Sequence, residues 1–195
     1  MKFNDNTNFK QEDKEIMNLK TMSKDGHDVH MTGEIIDRIH YADGHIEERV
    51  GHNLVVNSFL NLVMSLLKGQ AGYKGIQYWA VGSGASSWDG SMPNPDIKST
   101  KLTAELGRVA IGAGEIKFLN SDYNEVSTPT NILQISHTFG PSDCNGVWRE
   151  FGIFGGNATT AKDSGIMINK RHHAVITKTE EMTIERIMRF TLNLV

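Results

Sequence analysis

Thr183-Ile184-Glu185-Arg186-Ile187-Met188-Arg189-Phe190-Thr191-Leu192-Asn193-Leu194-Val195 closes the 195-residue chain, and its alternation decides the fold. Ile184, Met188, Phe190, Leu192 and Leu194 share one face of an extended backbone, while Thr183, Glu185, Arg189, Thr191 and Asn193 share the other. A two-residue period of this kind marks a strand with one face on a core and one in water. The alternation continues almost to the last residue, so the C-terminus is expected inside a sheet, and removal of the last five residues is expected to destabilise it.

Working outward, residues 34–41 and 46–50 read as two strands joined by a turn that carries Asp43-Gly44, the pattern of a β-hairpin. Further strands are expected at 76–82, 108–111, 115–119, 131–139, 148–154, 165–168 and 174–176, with a short helical turn at 100–106. One helix is expected at about 57–68, opened by Asn57 and stopped by Gly69. Its polar residues Ser58, Asn61, Ser65 and Lys68 leave only a narrow wet stripe, so the helix is expected to be nearly buried, either under the sheet or in a subunit contact. Many short strands with turn signals between them predict a mainly β protein: an antiparallel β-sandwich, jelly-roll-like, with one buried helix and an extended N-terminal arm.

The arm is residues 1–30 and the sandwich domain 31–195. Phe3, Phe9, Ile16, Met17, Leu19 and Met22 are scattered through a polar, charged segment without a helical or strand period. Such a segment buries too little surface to offset its ordering entropy alone, so order would require a neighbouring protein or another part of the fold. Phe3, Phe9, Ile16 and Leu19 are therefore candidate interface residues, and self-association as a homo-oligomer is expected.

The charge balance, Lys+Arg 20 against Asp+Glu 23, gives a formal −3 and argues against nucleic acid as the main partner, because phosphate backbones need clustered positive charge. A single cysteine, Cys144, excludes an internal disulfide and fits synthesis in a reducing cytoplasm. The longest strongly apolar run, 59–67, falls far short of the ~20 residues that cross a bilayer, and no signal peptide is read at the start. No membrane partner is expected.

Motifs that would carry chemistry are not found. Gly82-Ser83-Gly84-Ala85-Ser86 misses both the dinucleotide fingerprint, which needs a glycine at 87, and the nucleophile-elbow spacing. His27-Asp28-Val29-His30 and His172-His173 match no ligand pattern, since neighbours on a strand point to opposite faces. No catalytic, metal-binding or cofactor-binding residue is assigned, and the protein is expected not to be an enzyme. Glu150 and Arg108 lie at the edges of expected core strands and predict a buried structural ion pair. Trp79 and Trp148 are expected in the core. Trp88, on the long Gly/Ser loop 83–95, has three readings: an interface anchor, a sugar-stacking platform, or an aromatic folded onto its own loop.

The order of segments resembles a family of small tailed-bacteriophage virion proteins, described as tail-fibre, tail-collar or related structural proteins. The resemblance is carried by Asp43-Gly44, then Gly51-His52-Asn53-Leu54-Val55-Val56-Asn57 and the apolar helix, then Ala80-Val81-Gly82-Ser83-Gly84 and Thr100-Lys101-Leu102-Thr103-Ala104-Glu105-Leu106-Gly107-Arg108. Trp148-Arg149-Glu150-Phe151-Gly152-Ile153-Phe154 and Ile176-Thr177-Lys178-Thr179 complete it, over residues 33–195. It implies a β-rich, oligomeric structural subunit of the virion (tail fibre, collar or neck, or baseplate), made in the host bacterial cytoplasm and partnered by other virion proteins. The alternatives are a carbohydrate- or host-receptor-binding module and a capsid decoration protein.

Overall fold

The computed structural model describes residues 29–194 and folds them into two antiparallel sheets with one helix beside them. The six-stranded sheet runs β2 (Ile46–His52), β1 (Val29–His40), β11 (Thr183–Leu194), β8 (Ile132–Phe139), β6 (Ile116–Leu119), β7 (Glu125–Val126). The five-stranded sheet runs β3 (Leu54–Val55), β10 (Ile166–Lys178), β9 (Gly146–Gly156), β4 (Lys74–Gly82), β5 (Glu105–Ala110). The chain is a β-sandwich. β1 opens at Val29, two residues inside the segment read as arm, and Phe3, Phe9, Ile16 and Leu19 lie outside the described residues.

The closing strand lies second to none in the sheet's centre: β11 pairs with β1 along its whole length and with β8 on its other side. Its register places cross-strand neighbours in rows on the inner face. One row holds Ile39, Ile184 and Phe139; another holds Ile35, Met188 and Ile135, all fully buried. Trp79, Trp148, Phe151 and Ile153 close the core from the opposite sheet. Each such side chain contributes about 1.5–3 kcal/mol by burial.

Several expectations are corrected. The two short strands at 165–168 and 174–176 are one strand, β10, whose register against β9 jumps between His172 and Ile176. Such a bulge breaks the two-residue period and makes one strand read as two. No helix forms at 100–106; the segment is irregular until β5 begins at Glu105.

The helix, α1 (Ser58–Leu67), ends as expected: Gly69 has φ 68°, and the N–H groups of Gly69 and Gln70 return to the carbonyls of Leu66 and Ser65. Asn57 makes no side-chain cap. Nor is α1 buried under the sheet, because only Leu62 is, while Met64 is 64% and Leu67 76% exposed. It lies along the flank of the sandwich, so one side of its apolar surface meets the sheets and the other meets none of the described residues.

Candidate functional site

Polar side chains are buried on both faces of the five-stranded sheet. On its outer face, two rows of cross-strand neighbours lie side by side. One row is Glu105, Gly82, Glu150 and His172; the next is Arg108, Ala80, Gly152 and Lys170. Acids therefore stand beside cations at each side, with small residues between. Glu150, fully buried, lies 3.1 Å from Lys170 Nζ and accepts the Ala104 N–H at 2.9 Å. Arg108 forms a bidentate pair with Glu105 at 2.6 and 2.7 Å and donates to the Thr159 and Ser164 carbonyls, its guanidinium lying 4.7 Å from the Phe154 ring centre.

The expected Glu150–Arg108 pair is thus corrected: β4 separates their strands, and each finds a nearer partner. Glu105 and Arg108, three apart, would point to opposite faces of a regular strand. An extra residue at the Val81/Gly82 step of the ladder puts them on the same one.

The segment between β4 and β5 is fastened over these rows. His172 Nδ1 donates to the Pro93 carbonyl at 2.8 Å, since a carbonyl can only accept. Burial pushes the His172 imidazole below its ordinary range, with the Pro93 bond opposing. Trp88 lies on a short 3-10 turn, Ser86–Asp89, folded onto the base of its own loop with its ring centre 4.1 Å from that of His172. Gly84, at φ 57°, allows this approach: a Cβ there would lie 2.4 Å from the indole. Asp89 completes the fastening through a bidentate pair with Arg149 at 2.6 and 2.7 Å.

On the inner face, Asp37 and Arg186 are opposite each other on β1 and β11 and form a bidentate pair at 2.6 and 2.9 Å. Arg186 is fully buried, its guanidinium 4.2 Å from the Phe151 ring centre and 5.5 Å from Trp148. Burial alone would raise the Asp37 carboxyl, but Arg186, by charge and hydrogen bond, holds it below the usual range. From the facing sheet come Arg171, pushed down to about 10 by burial, and His173, pushed down to about 3 by burial and by Arg186. The Arg171 guanidinium lies over Gly51, within 2.1 Å of where a Cβ would stand. Arg186 Nη1, Arg171 Nη1 and His173 Nε2 are buried without a hydrogen-bond partner among the described residues.

This cluster escaped the sequence reading, although a signal existed. Arg186 is in phase with Ile184, Met188 and Phe190, and a charge in the core register of an alternating strand asks for a buried partner.

Further along the same interior, beyond the row of Ile35 and Met188, the sheets part beside α1. A groove of about 350 Å3 is lined there by Leu62, Val63, Leu66, Ile76, Ile116 and Ile168 among others. It adjoins a second of about 240 Å3 that reaches Met31, Phe190 and Leu192, the two sharing Phe59, Ile76, Leu133 and Ile168.

Among the described residues no three His, Cys, Asp or Glu side chains gather so as to hold a metal ion; His27 and Asp28 lie outside that range. Cys144 is half-buried, and burial raises its thiol, with Asp143 adding to the effect. No protein-family model matches the chain, and no curated protein matches it significantly.

Proposed function

We propose that the protein is a structural subunit of a tailed-bacteriophage particle, in a tail fibre, collar or neck, or baseplate, and that it works by assembling with copies of itself and with other virion proteins. The observation that supports assembly is the outward side of α1: Leu60 and Met64, one helical turn apart, are exposed, and Leu67 is exposed at the rim of the groove beside them. An apolar stripe held rigidly on a helix suits a protein contact far better than solvent. The virion context rests on the order of landmarks that resembles phage structural proteins.

The buried polar side chains fit the same reading, because ion pairs fasten the long loop to the sheet and the two sheets' strands to each other. A loop and a sandwich held in this way give a subunit one shape in which to be built into a particle.

Mass spectrometry of density-purified particles from a lysate in which this protein is made tests the context. The protein is expected at a fixed stoichiometry to the other virion proteins, surviving high-salt washing. Its absence from purified particles would overturn the proposal.

A further inference from the structure

The larger part of the groove beside α1 is walled entirely by apolar side chains. Small-molecule sites carry a few placed polar groups that orient their ligand. This one offers none, so its shape and chemistry suit a run of apolar side chains.

Such a run lies close at hand. Residues 1–28 precede β1, which starts at Val29. Val29 pairs with Leu194, and two residues on, Met31 pairs with Leu192; Met31 and Leu192 both line the groove's outer part. The preceding chain therefore joins the fold at the mouth of the groove. Within it, Ile16-Met17-Asn18-Leu19-Lys20-Thr21-Met22 has four apolar residues in seven. The seven residues from Met22 to Val29 span up to roughly 23–25 Å when extended. A tethered segment also acts at an effective concentration in the millimolar range, which a second copy in dilute solution does not reach.

We infer that the groove beside α1 is the docking site of residues Ile16–Met22 of the same chain, which lay Ile16, Leu19 and their neighbours against Phe59, Leu66, Ile76 and Leu133. This does not depend on the virion reading. The docked segment covers the groove, Leu67 at its rim included, and leaves Leu60 and Met64 facing outward for other partners.

The test places a nitroxide spin label on the arm of the full chain, using Lys20→Cys with Cys144→Ser, and observes methyl-labelled Leu and Ile by NMR. The inference expects loss of the Leu66, Leu67 and Leu133 signals and retention of those of Ile39 and Ile184 at the far end of the interior. Adding Ile16→Asp and Leu19→Asp to the arm should restore the lost signals. Mixing spin-labelled chains without methyl label with methyl-labelled chains without spin label separates the two sources. Loss in that mixture as strong as in the single chain would replace the inference with exchange between copies. Retention of all groove signals in the singly labelled chain would overturn it.

Discussion

The two ends of the space between the sheets are built on opposite principles. Toward one end, between the rows of Ile39 and Ile35, Asp37 and Arg186 lie opposite each other under Phe151 and Trp148, with Arg171 and His173 above, and the aromatic rings pack tightly around the charges. At the other, apolar side chains line the space except where Thr130 and Asn131 reach its outer part, and it stands open as a groove. Buried charge imposes a strict geometry because each ion must keep its partner, whereas apolar surface accepts any complementary apolar segment. The charged end therefore ties β1 to β11 and sets the Arg186 guanidinium against Phe151 and Trp148 of the facing sheet, and the open end is where the fold can receive another stretch of chain.

The largest effect should come from breaking the charged end. Asp37→Leu leaves Arg186 buried without its partner and is expected to cost about 3–5 kcal/mol in urea unfolding, with the Asp37→Leu/Arg186→Met double variant recovering most of it. Additive losses in the double variant would show that the pair is not a unit.

Acid should act at the same end. His173 is held to about 3 in the fold against an ordinary 6.5, so the unfolded chain takes up its proton first. Its contribution is fully present above pH 6.5 and is lost as pH falls from there toward 3. The slope is at most about 1.4 kcal/mol per pH unit. Asp37, also held low, loses its contribution in the same direction at lower pH. His173→Gln should flatten the urea midpoint between pH 6.5 and 4, and an unchanged slope would remove His173 from the account.

Packing gives a smaller contrast. Ile135→Ala, fully buried in the row beside the charges, should cost about 2–5 kcal/mol. Ile76→Ala, on the groove wall, should cost less than half as much, because its neighbours already face open space. Equal costs would mean that the groove end is as tightly packed as the rest.

Smallest of all, Asp89→Ala should leave the thermal midpoint unchanged and speed amide exchange over residues 83–95, since Asp89 only ties the loop to Arg149 at the surface.

What could be read in the sequence was what depends on near neighbours along the chain. The Asp43-Gly44 hairpin and the closing strand follow from turn chemistry and a two-residue period. Partnerships between strands could not be read in that way. Placement at the edges of expected core strands pairs Glu150 with Arg108, but strand order puts β4 between them and Lys170 beside Glu150. The apolar composition of α1 is real, yet composition says nothing about which side has a partner, and Leu60 and Met64 face outward. Arg186 is legible in the alternation itself: the strand that decides the fold carries a charge in its core register.

Light scattering coupled to size-exclusion chromatography, on the full chain and on the Leu60→Glu/Met64→Glu variant, tests the central claim of assembly through α1 most directly. Neither side chain is needed for the core, so both proteins should share one thermal midpoint within about 0.5 kcal/mol of stability. The account predicts a concentration-dependent oligomer for the parent chain and a monomer for the variant. A parent chain that stays monomeric at high concentration, or a variant that assembles equally well, would contradict it.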